Sequence, residues 1–157
     1  MRFVHRLWIF GFFFCFNCGG FELRLITVDE LLREVRSYRG EKAVLVNIWA
    51  TWCIPCRVET PFLQETYERF QDQGLKILGI SVDSPGAEDM IKSFLKENSV
   101  TYDIGLDPSM TSTDVFSVVG LPASFLIGRD GTILYNRIGP IAEKDPDFES
   151  ALEQAFE

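Results

Sequence analysis

Residues 42–56 read KAVLVNIWATWCIPC. The first eight form a short apolar run rich in β-branched side chains, the mark of a strand buried on both faces. Cys53, Ile54, Pro55 and Cys56 follow shortly after it. Proline suits the first turn of a helix, so Ile54 and Pro55 open one and Cys56 lies in that turn. A buried strand passing almost directly into a helix is a βα junction, and it commits this part of the chain to an α/β sheet.

The flanking segments continue the alternation. Residues 27–40 predict a helix, with Thr27 and Glu30 as a capping box, Val28, Leu31, Leu32 and Val35 as an apolar stripe, and Gly40 as the stop. The helix entered at Ile54 extends to Gly74, with Phe62, Tyr67 and Phe70 inward and a kink expected at Pro61. LKILGISVD (75–83) reads as a second buried strand. An amphipathic helix over 86–98 turns Met90, Ile91, Phe94 and Leu95 inward, a short strand covers 101–107, and a weak helix covers 110–119. ASFLIG and TILYNRIG flank RDG as an antiparallel hairpin. Asp145 caps a last helix that starts at Pro146, with Phe148, Leu152, Ala155 and Phe156 inward. This order predicts an α/β fold with a central mixed sheet flanked by helices, parallel at first and antiparallel at the hairpin.

Composition narrows the class. A chain of 157 residues, 46% hydrophobic, suits one globular domain, expected over 27–157. Residues 1–26 carry a net charge of +2 and the remainder −10, and an acidic body without a basic cluster argues against nucleic-acid binding. Residues 1–21 are different in kind. MRFVHR is a basic start, LWIFGFFFCF is an apolar run, and NCGG follows. That is the layout of a signal peptide or, if retained, an N-terminal membrane anchor; lipidation at Cys18 is a weaker alternative because its preceding residues make a poor lipidation box. Export places any dithiol where no glutathione pool keeps it reduced, so it needs an electron source of its own.

The Cys53–Cys56 spacing allows three readings: a redox couple, half a metal site, or inert structural sulfurs. The helix N-terminus suits the redox couple, because unpaired N–H groups and the helix dipole converge on the Cys53 sulfur and favour its thiolate, and Trp52 and Pro55 also fit a redox turn. Such placement lowers a thiol pKa from about 8.5 to roughly 3.5–7.5. Cys53 would attack a substrate disulfide and Cys56, deeper in the fold, would resolve the mixed disulfide. Cys15 and Cys18 repeat the spacing, but they lie in the targeting segment, so a four-cysteine zinc site is not expected, nor any other metal. The single histidine, His5, also lies there, which removes Cys–His and Ser–His–Asp catalysis from the domain.

NIWATWCIPC resembles the active-site strand and turn of the thioredoxin fold. Pro61 falls where thioredoxins kink their active-site helix, and GLPASFLI resembles their cis-proline loop, with Pro122 as that proline. CRVETP and a helix–strand insertion over 85–107 are similar to the extracytoplasmic TlpA/ResA-like branch of thiol-disulfide oxidoreductases. The resemblance implies catalytic roles for Cys53, Cys56, Glu59 and Pro122, and substrate contact by Trp52, Ile54, Pro55 and Leu121. Thioredoxin carries a buried Asp where this chain has Asn47, so Glu59 would take over proton handling, while the Asn47 amide is expected to satisfy nearby backbone. The implied protein is a monomeric periplasmic or envelope reductase of disulfides in exported proteins, apocytochrome c among them. It needs no cofactor beyond its own disulfide and takes electrons from a membrane thiol carrier. The alternatives are a peroxiredoxin-like thiol peroxidase, which would need a Thr further upstream than Thr51 and an activating Arg, and a non-catalytic interaction module.

Overall fold

The computed structural model describes residues 23–157. The expected signal or anchor, with His5, Cys15 and Cys18, lies outside them. Six strands form one sheet: β1 (Arg24–Leu25), β2 (Ala43–Trp49), β3 (Leu75–Ser81), β4 (Asp103–Leu106), β5 (Ala123–Ile127) and β6 (Ile133–Ile138). Five helices accompany them: α1 (Val28–Ser37), α2 (Ile54–Phe70), α3 (Glu88–Glu97), α4 (Thr111–Val115) and α5 (Pro146–Phe156). The strand order is β1-β4-β3-β2-β5-β6, with β1 to β4 mutually parallel and β5 and β6 antiparallel to their neighbours. This is the expected mixed sheet, and α3 and β4 form the expected insertion.

The apolar run of β2 is explained by its place. It lies between β3 and β5, and all seven of its residues are buried. Helices cover both faces. Asn47 bonds Glu59 of α2 and Ser124 of β5, so these three side chains share one face. Trp49 alternates onto that face and packs on Phe94 of α3, with ring centroids 5.4 Å apart. Phe125 points the other way and meets Phe116, at the end of α4, which places α4 on the opposite face. α5 joins α2 through Phe62–Phe148 and the stacked pair Phe70–Phe156.

Local rules account for most element ends. The Thr27 hydroxyl accepts the Glu30 N–H at 3.3 Å while the Glu30 carboxylate accepts the Thr27 N–H at 2.8 Å, the reciprocal capping box. The Asp145 carboxylate accepts the N–H groups of Asp147 and Phe148 at the start of α5. α2 runs through Pro61 without interruption and passes into a short 3-10 turn that Gly74 closes with φ 100°.

Three elements differ from expectation. β1 carried no sequence signal, because two exposed residues show no period; its pairing comes from the edge that β4 offers at Gly105 and Leu106. α4 is only five residues long, bracketed by left-handed Met110 (φ 58°) and Ser117 (φ 52°). Met90 does not face inward but is 57% exposed, because the buried stripe of α3 is Ile91, Phe94 and Leu95 and Met90 falls at its edge.

Phe148 is 1% exposed and touches both Phe62 and Tyr135. Phe148→Ala is expected to destabilise the fold by about 3–5 kcal/mol, read as a lower urea midpoint at unchanged slope. A loss under about 1 kcal/mol would show that α5 is not part of the cooperative core.

Candidate active site

The end of β2 is tied down before the cysteines begin. Asp83, just beyond β3 and 5% exposed, accepts the Thr51 N–H at 2.9 Å and hydroxyl at 2.6 Å, and the Ser81 hydroxyl at 2.8 Å. Sequence reading gave Asp83 no role; its only signal is a charge closing an apolar strand. The chain then turns, and Cys53 becomes the N-cap of α2, its sulfur accepting the Cys56 N–H at 3.3 Å. Cys53 and Cys56 are joined as a disulfide with Cα atoms 5.3 Å apart. Cys53 is 5% exposed and Cys56 1%, so Cys53 is the outer sulfur. That order suits an attacking residue in front and a resolving residue behind.

Cys53 opens into a groove of about 550 Å³. Of the residues expected to meet substrate, Trp52, Ile54, Pro55 and Leu121 all line it. Trp52 and Ile54 are 63% and 75% exposed, so both are available to a docked chain. The far wall brings Met110 and Val119, which sequence reading missed because they fall in a weak helix without a clear face. No lining residue is charged. Pro122 follows Leu121 through a cis peptide bond and is buried. Its carbonyl accepts the Gly139 N–H at 2.8 Å, while Leu121 makes no backbone hydrogen bond within the described residues.

Glu59 lies one helical turn beyond Cys56, on the same side of α2. It is 3% exposed. Burial pushes its carboxyl up to about 7, against the opposing pull of the Ile141 N–H, the Asn47 amide and the Arg137 charge. Ile141 N–H donates to Oε1 at 2.7 Å and Asn47 Nδ2 to Oε2 at 3.1 Å. Asn47 thus departs from expectation: its amide serves two side chains, Glu59 and Ser124, rather than backbone. Ser124 and Ile141 were not legible beforehand, since each is brought to Glu59 from a remote element. Among the described residues no group of three or more His, Cys, Asp or Glu side chains could hold a metal ion.

A model of the AhpC/TSA family matches residues 21–136, nearly three quarters of the sequence. The chain belongs to the AhpC/TSA family. Curated relatives that it matches are named for thiol–disulfide chemistry. It is 33% identical over 106 residues to a thiol-disulfide oxidoreductase ResA of Bacillus cereus, covering 68% of this chain and 60% of that protein. It is 42% identical over 100 residues to the thiol:disulfide interchange protein CycY of Rhizobium leguminosarum bv. viciae, covering 63% of this chain and 51% of CycY. The chain therefore spans six tenths or less of the length of these relatives. A thioredoxin-family thiol:disulfide interchange protein from Chlorobium tepidum TLS superposes with TM-score 0.65 at 26% identity, over 78% of this chain and 85% of that one. StoA from Bacillus subtilis superposes with TM-score 0.59 at 26% identity, over 71% and 84%. The fold is thus thioredoxin-like, as that of the thioredoxin-family protein is.

Proposed function

We propose that this protein is an extracytoplasmic thiol-disulfide oxidoreductase that reduces disulfides in exported proteins, with oxidised apocytochrome c as one class of substrate. The observation that carries the reading is the Cys53–Cys56 disulfide at the start of α2, with its outer sulfur in a groove bordered by the cis-proline loop. The similarity to ResA and CycY supports the same activity.

The cycle starts from the dithiol. The Cys53 thiolate attacks one sulfur of a substrate disulfide, a new S–S bond forms, and the other substrate sulfur leaves as a thiolate. Glu59 then takes the Cys56 proton, and the Cys56 thiolate attacks the Cys53 sulfur. That releases the second substrate thiolate and leaves the Cys53–Cys56 disulfide, so two electrons have passed to the substrate. The unpaired Leu121 backbone receives an extended substrate segment as an added strand, with Trp52, Ile54 and Pro55 against its side chains. A membrane thiol carrier returns the electrons. The N-terminal apolar segment acts as export signal or tether, and residues 27–157 work as a monomer.

The thiol-peroxidase alternative lacks comparable support. Arg57, the arginine nearest the cysteines in sequence, lies over the Phe94 ring at 4.9 Å and donates to the Thr51 carbonyl at 3.3 Å.

Trapping tests the proposal. Cys56→Ser, expressed in cells with its leader, is expected to accumulate mixed disulfides with exported proteins, visible on non-reducing gels and released by dithiothreitol. The double variant Cys53→Ser/Cys56→Ser should show none. Adducts that persist in the double variant, or none in the single one, would sink it.

A further inference from the structure

The peptide between Pro140 and Ile141 makes two bonds to side chains, one from each end. Its N–H donates to Glu59 Oε1 at 2.7 Å. Its carbonyl, on Pro140, accepts from Arg137 Nε at 2.9 Å. Arg137 does not act alone: its Nη1 reaches Asp145 Oδ2 at 3.1 Å, and the same oxygen accepts the Tyr135 hydroxyl at 2.9 Å. Asp145 is the N-cap of α5. The guanidinium therefore braces this one peptide against the start of α5, using a planar fork that spans both acceptors. On the preceding side, Gly139 N–H is fixed to the Pro122 carbonyl.

We propose that Arg137 is a positioning residue for Glu59, acting through the Pro140–Ile141 peptide, whose orientation it holds so that the Ile141 N–H stays on the carboxylate. A rotation of this peptide would turn a carbonyl toward Glu59 and leave a buried carboxylate facing a lone pair. Glu59 sits too deep for water to replace the lost donor. The inference rests on the proposed role of Glu59 in the reaction. The groups that bear on Glu59 are few. Tyr102, just before β4, is buried and feels its charge, and Arg137 approaches from β6. Asn47 of β2 and Ser124 of β5 are uncharged. On α2 itself the Cys56 thiol of the reduced protein lies one turn away, and the Cys53 thiol at the N-cap lies further along the same helix end.

The experiment uses the oxidised full chain, in which Cys53 and Cys56 are joined and do not titrate, and reads two quantities by NMR. They are the titration midpoint of the Glu59 carboxyl and the hydrogen-exchange rate of the Ile141 amide, with Gly139 as internal reference. In Arg137→Gln the midpoint is expected to rise by about one unit, a tenfold change in the ionisation constant. The Ile141 amide should exchange about tenfold faster than in wild type relative to Gly139. A raised midpoint with unchanged exchange would mean that Arg137 acts by charge alone, and would overturn the proposal. Faster exchange with an unmoved midpoint, or no change in either, would overturn it as well. Should Arg137→Gln not fold, Arg137→Lys is judged by the same two readings, because a lysine keeps the charge but cannot span Pro140 and Asp145. Neither reading needs turnover. Absence of oxidoreductase activity would therefore end the functional proposal while leaving this result interpretable.

Discussion

Cys53→Ser is expected to reduce insulin disulfide reduction to the rate of dithiothreitol alone, a loss of at least about a hundredfold, because a serine hydroxyl neither ionises near neutrality nor forms a disulfide. The effect should be complete because Cys53 is the groove-facing sulfur, and Cys56 behind it, 1% exposed, cannot substitute. The same variant separates catalysis from docking. An interaction module would retain partner binding and show no change in an activity it never had. Undiminished reduction by Cys53→Ser would remove the dithiol from the mechanism altogether. Rapid consumption of peroxide by Cys53 with Cys56 replaced would move the protein to the peroxidase class instead. Circular dichroism should match the reduced wild type, since the exchange of sulfur for oxygen alters one buried atom.

The second large effect belongs to Glu59, and its sign follows from linkage. Burial raises the Glu59 carboxyl from 4.5 to about 7 in the folded protein. Between those values the native state holds a proton that the unfolded chain has released. Stability from this group is therefore fully present below about pH 4.5, falls as pH rises towards 7, and is flat above that. The raised pKa corresponds to about 3 kcal/mol across the window. Glu59→Gln has no charge to bury, so the stability difference between variant and wild type should grow by up to about 3 kcal/mol in favour of the variant from pH 4 to pH 8. Urea unfolding across that range measures it, and a difference independent of pH would show that Glu59 ionises as an ordinary carboxylate. The same substitution should slow resolution of the mixed disulfide at pH 7 by about a hundredfold or more, because a general base contributes roughly 10²–10⁴-fold. A variant that gains stability relative to wild type as pH rises and yet resolves more slowly is the signature of a group kept for its chemistry.

These effects show where sequence reading reached and where it stopped. The redox turn was legible because its determinants are local: an apolar strand, a proline in a first helical turn, and two cysteines spaced to close a ring. The helix caps and the hairpin were legible for the same reason, each being a short-range pattern, whereas only resemblance marked the helix and strand over 85–107 as an insertion. Glu59 could be nominated only by resemblance, yet nothing local said that its carboxyl would be sealed under β2 and the loop before α5. Met90 was misplaced because an apolar residue at the margin of a helical stripe can fall on either side of the core boundary, and the neighbouring elements decide which. β1 was invisible because two residues have no period, and only the open edge of β4 recruits them.

By itself, then, the sequence determined the alternation of strands and helices, the identity of the two sulfurs and the helix end at which the first of them sits, since these depend on neighbours within a turn or two. The tertiary structure alone decided which polar groups meet out of water. Asp83 fastens Thr51, Asn47 joins Glu59 to Ser124, and the Pro140–Ile141 peptide links Glu59 to Arg137. Apart from the local Arg137–Pro140 bond, those partners come from separate segments of the chain, and hydrogen bonds between them form only after the apolar faces have packed and fixed where each buried group must find its match.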